Sequence, residues 1–216
     1  MIIRLDSEET TCNSYLVIED SAVLLIDVSD TDKIRRLITA HNWTLEKILL
    51  THEHVDHIVG LEQIRSLTDA PVISCTACSS RIGIPKQNLS TFYDLLVYAY
   101  TGTICKNRHD SFSCRPCEVT FQDHLTISWH KHIFRLYRCP GHSPGSTLIC
   151  MDDDCAFTGD YLLPDMPVNL SLSGGNEEDY KNHTLPVLEN CLHSGMMIFP
   201  GHGKPYTFCA EKTAHV

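Results

Sequence analysis

Between Ile48 and Gly60 the chain reads ILLTHEHVDHIVG, which sets His52, His54, Asp56 and His57 within six residues. Imidazoles crowded in this way repel one another when protonated, and when neutral each keeps a lone pair that needs a donor or a cation. A metal ion accepts several such lone pairs at once, and imidazole nitrogen with carboxylate oxygen suits zinc, iron or manganese. The zinc-protease motif H-E-x-x-H is excluded, because Asp56 stands where its second His belongs. Three further stretches place a metal-type residue in the turn after an apolar strand. RCPGHSPGS supplies His142, CAFTGD supplies Asp160 and MIFPGHG supplies His202. A single His after a strand is ordinarily solvated or hydrogen-bonded, but three such strand ends beside the crowded motif point to one site.

The elements that must carry these residues are legible in the hydrophobic pattern. The first half reads as three strands, a helix and a strand. NSYLVIE and AVLLIDV are β-rich runs joined by a turn at 19–21, and Ile34, Leu37 and Ile38 recur at helical spacing over 31–40. EKILLT is a short buried strand that delivers His52 and His54, since alternate residues leave a strand on the same side. Ile58, Leu61, Ile64 and Leu67 predict one helix starting at Asp56, whose N-terminus favours that carboxylate. PVIS is the next strand. Residues 83–117 break the rhythm and read as an insertion, with an aromatic-rich helix in NLSTFYDLLVYAY that Thr91 and Asp94 cap as a box. Its aromatics, Phe92, Tyr93, Tyr98 and Tyr100, either pack on the core or wall the cleft. EVTF, LTISW, IFRLYRC, STLICM and CAFTGD are strands, MDDDC is a hairpin turn, and a helix over 176–192 bends at Pro186. MMIFPGHG is a last strand. Each half thus runs from strands to a helix, a hint of a duplicated unit.

Composition narrows the partners. A chain of 216 residues buries a core without staples, and its formal charge of −10 argues against a nucleic-acid backbone as the partner. No apolar run is long enough to span a membrane. The first twenty residues lack the basic and then apolar blocks of a signal peptide, so the expected compartment is the cytosol. Eleven cysteines, an odd number, do not suit a disulfide scaffold under that expectation. Cys75 with Cys78 and Cys114 with Cys117 form two C-x-x-C pairs. They read as buried thiols in preference to a structural zinc site, because the gap between the pairs is long.

In this order HEHVDH, PGHSPGS, TGD and FPGHG resemble the metallo-β-lactamase superfamily, whose pattern is H-x-H-x-D-H, a His in a P-G-H turn, a Gly-Asp and a final P-G-H. The likeness extends from NSYLV and LLIDV to His202 and is poorest over 83–117. It implies an α/β (α+β) fold, a four-layer αββα sandwich forming a single domain over 1–216, with metals at one edge of the central sheets. It further implies that His52, His54 and His142 hold one divalent ion, that Asp56, His57 and His202 hold a second, and that Asp160 bridges them. Asp27, ending LLID, would support a ligand from behind. The ions expected are two zincs, with iron or manganese open.

Two such ions about 3.5–4 Å apart would share and acidify a water, and Asp56 would orient it. The resemblance therefore implies a metal-dependent hydrolase of a small-molecule ester, thioester or lactone, most similar to the small glyoxalase II-like enzymes. Against that subclass, the fourteen residues after His202 are too few for a glutathione-binding helical portion, and the stretch after Asp160 lacks an Arg-rich loop. Phosphoesters also stay open. Two other classes share much of the motif: a persulfide dioxygenase on a single non-haem iron, and a metal-binding regulatory module without turnover. Substrate-binding residues and oligomeric state are not readable from the chain.

Overall fold

A computed structural model describes residues 1–105, 109–164 and 166–210. The apolar runs form two six-stranded sheets. The first has β1 (Ile2–Asp6), β2 (Asn13–Glu19), β3 (Ala22–Ile26), β4 (Thr44–Leu49), β5 (Val72–Cys75) and β6 (Val119–Phe121) in that order. The second orders β12 (Tyr206–Thr207), β11 (Met197–Pro200), β10 (Cys155–Gly159), β9 (Thr147–Met151), β8 (His132–Arg138) and β7 (His124–Trp129). The expected turn at 19–21 pairs Glu19 with Ala22 across a tight hairpin. From β3 to β6 the pairing is parallel, and such strands are buried on both faces and read as continuous apolar runs. β3 and β5 fit this: every residue in them is buried.

The sheets pack face to face through aromatic rings. Tyr15 of β2 meets Phe157 of β10 and Phe199 of β11 edge-on, each at 5.3 Å, and those two stack at 4.9 Å. The Tyr15 hydroxyl donates to the Pro200 carbonyl at 2.6 Å. On the outer face of the first sheet, α1 (Thr31–His41) and α3 (Leu61–Arg65) contribute Ile34, Leu61 and Ile64 to the core. α1 starts at Asp30, whose side chain caps the Lys33 N–H, and ends at Asn42 in the left-handed conformation. On the second sheet Leu188 of α7 (Leu185–Cys191) packs with Ile198 and Tyr161. The four layers follow as expected from the sequence.

Three local expectations need correction. The helix after the histidines is two: α2 (Val55–Ile58) and α3, separated by Gly60. A Cβ at Gly60 would lie 2.4 Å from Thr31 Oγ1 and 2.8 Å from Val28, which requires the glycine, and the Gly60 N–H donates to the Val28 carbonyl at 3.0 Å instead of to a helix carbonyl, which makes the break. The Thr91–Asp94 capping box does not form. α5 (Tyr93–Thr101) follows a single tight turn over Ser90–Phe92, and Asp94 Oδ1 instead accepts from the His109 backbone N–H at 3.2 Å. The helix expected over 176–192 runs from α6 (Glu177–Asp179) into α7 by way of a wide turn over Tyr180–Thr184, in which Leu185 N–H reaches back to the Tyr180 carbonyl. Pro186 removes one ladder donor, and the wide turn accommodates its ring. β12 and α4 (Thr76–Arg81) carry weak patterns and were not anticipated.

Phe157 is fully buried between the sheets. Phe157→Ala is expected to destabilise the chain by about 3–5 kcal/mol. Denaturant unfolding checks this, and a loss below about 1 kcal/mol would show that the sheets do not depend on this stack.

Candidate metal centre

The ends of strands from both sheets bring the sequence-predicted residues to one edge. His52 and His54 follow β4, Asp56 and His57 stand in α2, His142 follows β8, Asp160 follows β10 and His202 follows β11. His52, His54 and His142 offer ligand atoms within 4.8 Å of one another, as do Asp56, His57, His202 and, unforeseen, Cys12. Asp160 lies between the groups: one oxygen is 3.3 Å from His57 Nε2, and the other is 3.3 Å from His202 Nε2 and 3.9 Å from His142 Nε2. All seven are buried or nearly so. At Gly201 a Cβ would lie 2.1 Å from the Asp160 carboxylate and 2.8 Å from His57, so the P-G-H turn closes on the site only with glycine.

The hydrogen bonds behind the imidazoles set which nitrogen faces inward. His57 Nδ1 lies 2.7 Å from Asp27 Oδ2 and donates to it. Thr51 Oγ1 also donates to that oxygen, at 2.6 Å, which leaves Oγ1 as the acceptor for His52 Nδ1–H at 3.1 Å. His142 Nδ1–H donates to the Asn169 carbonyl at 2.8 Å, and His202 Nδ1 meets Thr11 Oγ1 at 3.1 Å. The lone pairs of His52, His57 and His142 thus point into the centre from Nε2, the arrangement by which outer partners fix metal-binding imidazoles. His142 Nε2 and His54 Nδ1 face each other at 3.0 Å. Two lone pairs approach this closely only with a proton or cation between them.

Several buried atoms here have no hydrogen-bond partner: Nε2 of His52, His57 and His202, and one oxygen each of Asp56 and Asp160. Unpartnered buried polar atoms are costly, and a group of them aimed at a common space fits divalent cations. The electrostatics agree. Burial, then neighbouring imidazoles, push His52 and His54 well below the usual histidine range. Burial acts the same way on His202, but Asp160 and Asp56 outweigh it and raise this group to about 10. Burial would raise Asp160, yet His202 and His57 hold it well below the usual carboxylate range. The two carboxylates therefore demand positive charge in the space between them.

Other contributors left little trace in the sequence. Glu53, inside the HEHVDH motif, is fully buried and pairs with Arg81 Nε at 2.6 Å while accepting from Ser143 Oγ at 2.9 Å, so it ties the first histidine loop to the His142 turn. Tyr100 of α5 stacks on His202 with ring centroids 4.6 Å apart. One insertion aromatic thus does reach the centre, while Phe92 and Tyr98 are exposed and Tyr93 is buried, donating to Glu9. The four C-x-x-C cysteines are buried. Cys75 ends β5 and its sulfur caps the Cys78 N–H at 3.5 Å, and Ser74 Oγ donates to Cys117 Sγ at 3.1 Å. Among the described residues, the clusters at metal-ligand spacing do not include these four.

The family model of the metallo-beta-lactamase superfamily matches residues 8–192. The chain belongs to that superfamily. It is 30% identical over 209 residues to a probable metallo-hydrolase of Streptococcus pyogenes serotype M6, covering 94% of this chain and 84% of that protein. A hydroxyacylglutathione hydrolase of Rhodobacter capsulatus is 35% identical over 60 residues, 28% of this chain and 23% of that one. Among solved structures, the B3 metallo-beta-lactamase BLEG-1 superposes with a TM-score of 0.77 at 23% identity, covering 96% of this chain and 94% of that one. TTHA1623, in a di-iron-bound form, superposes with a TM-score of 0.69 at 23% identity, covering 95% and 94%. A probable metallo-hydrolase is the class that these likenesses define.

Asp27 holds His57 and the Thr51 N–H and hydroxyl from a left-handed backbone position, φ 57°. Asp27→Asn keeps the shape and tolerates that backbone, but removes the charge behind His57. Metal affinity is expected to fall about 10- to 100-fold, as read by competition with a chelator, with thermal unfolding of the metal-free protein nearly unchanged. Unaltered affinity would show that Asp27 serves the fold alone.

Proposed function

We propose that the chain is a metal-dependent hydrolase of a small-molecule ester, thioester or lactone, working with two divalent ions. His52, His54 and His142 would hold one ion, Asp56, His57 and His202 the other, and Asp160 would stand between them. The observation that carries this reading is the set of unpartnered buried atoms converging from both groups, with Asp160 reaching each. The partial match to a hydroxyacylglutathione hydrolase, an enzyme named for an acyl-glutathione thioester, supports an acyl substrate. The di-iron-bound form of TTHA1623 keeps iron beside zinc as the metal.

Bound divalent ions supply Lewis acidity and lower the pKa of a coordinated water. The chain's own groups do the rest. Asp56 Oδ2 is 3.2 Å from His202 Nε2 and faces the space between the two groups, and its carboxylate would hold the ion with one oxygen and orient an attacking water with the other. Among the residues around the centre His202 and Tyr100 stand at the open side, where Tyr100 is 40% exposed. The Tyr100 ring offers an apolar wall, and its hydroxyl a donor, to the acyl portion of a substrate.

Metal analysis of the loaded protein, followed by a panel of thioesters, lactones, phosphodiesters and β-lactams, tests the reading. About two metals per chain with acyl hydrolysis is the expected result. One iron with persulfide oxidation would replace it with the dioxygenase class. Asp56→Asn should lower turnover by at least about a hundredfold while thermal unfolding on the same sample stays close to wild type; near-normal rates would remove Asp56 from the chemistry. Tyr100→Ala should change KM or substrate preference more than stability. A KM left untouched across the panel would make the stack on His202 mere packing.

A further inference from the structure

The insertion carries a second group of metal-type side chains, away from the buried centre. Cys105, just after α5, and His109 meet Glu9 of the loop between β1 and β2, and the three offer ligand atoms within 4.8 Å of one another. His109 Nε2 lies 3.1 Å from Glu9 Oε1, and its Nδ1 lies 2.7 Å from Asp94 Oδ1. The other Glu9 oxygen, Oε2, accepts from the Tyr93 hydroxyl at 2.9 Å. Two of the three candidate ligands are therefore held from behind: Asp94 fixes the imidazole so that Nε2 faces Glu9, and Tyr93 fixes the carboxylate so that Oε1 faces His109. This is the pattern of outer hydrogen bonds found behind metal ligands.

We propose that Glu9, Cys105 and His109 form a further cation site, of zinc-binding chemistry, that staples the insertion to the β1–β2 loop. Thiolate, imidazole and carboxylate are a zinc donor set. Two ligands about 2.0–2.1 Å from a tetrahedral zinc stand about 3.3 Å apart, close to the His109–Glu9 separation of 3.1 Å. Thiolate and carboxylate supply the negative charge that a divalent ion needs, and the Asp94 carboxylate behind His109 adds to it. The fourth position opens on a cavity of about 330 Å³ that Val97, Thr101 and Ile104 help to line, which leaves room for a water or a small anionic ligand. Without the ion, Glu9 and Asp94 set two carboxylates against a single imidazole. Binding would fix the two ends of α5 to the body of the protein: Tyr93 through Glu9 at one end, and Tyr100, stacked on His202, at the other.

The test compares the metal content of zinc-loaded wild type, Cys105→Ser and Glu9→Gln after gel filtration. Both substituted side chains are at least partly exposed, so each variant keeps the fold, which thermal unfolding verifies. The expected result is about one equivalent of zinc fewer in each variant than in wild type. Because the difference between variants is what is read, the result does not depend on how the buried centre is filled. Cobalt substitution gives a second readout. A thiolate-to-cobalt charge-transfer band should vanish in Cys105→Ser and persist in Cys12→Ser, which separates this site from the thiol beside His202. Equal zinc content in all three proteins, or a cobalt band that depends on Cys12 alone, overturns the proposal and leaves His109 as an ion-pair bridge between Glu9 and Asp94.

Discussion

A space lined by buried carboxylates and imidazole lone pairs must contain positive charge. That requirement governs the edge of this sandwich. Asp56 and Asp160 are buried beside each other's histidines. Stripped of any cation, they draw protons onto His202 instead, raising it to about 10. Protons and metal ions compete for the same atoms, so the imidazoles that charge up in the absence of metal mark where a metal would sit. His52 and His54, pushed the other way, cannot share that load. The two groups therefore answer the same constraint differently, one as neutral donors and one as a charge-neutralising set.

Asp27 shows how the backbone serves that edge. A non-glycine residue at φ 57° is uncommon. Here it turns the chain at the end of β3 so that one carboxylate reaches the end of β4 and His57 together. Glu53 plays the corresponding part on the other side, joining the first histidine loop to the His142 turn through Ser143 and to α4 through Arg81. Each decides where candidate ligands from distant strands stand relative to one another.

Much of this was legible in the chain because it rests on local patterns. The strands of both sheets are apolar runs bounded by turns, and HEHVDH with its later P-G-H and G-D partners names the site. What stayed hidden depends on contacts between distant segments. The break at Gly60 follows from its N–H donating to the distant Val28 carbonyl, which no helical period records. The Thr91–Asp94 box failed because Asp94 is claimed by His109 across the insertion. Cys12 stands beside His202 through a bridge between chain segments far apart in sequence, with nothing around it to suggest a metal-type role. Tyr100 could be named as an aromatic of the insertion, but its seat on His202 is a tertiary fact.

The aromatic seam between the sheets has a kinetic consequence. Tyr15 donates to Pro200 across 185 residues of sequence, and His202 lies just beyond that anchor. Contacts of such separation form late, because loop closure must precede any reward from them. A nascent chain thus presents HEHVDH as a small cluster of donors long before the turns bearing His142, Asp160 and His202 arrive to complete it. An ion taken up at that stage would have only part of its donor set and would exchange readily. On the two-ion reading, which metal the mature protein keeps would be decided when the two sheets dock and the later turns join HEHVDH, so selection would fall to the last step of folding.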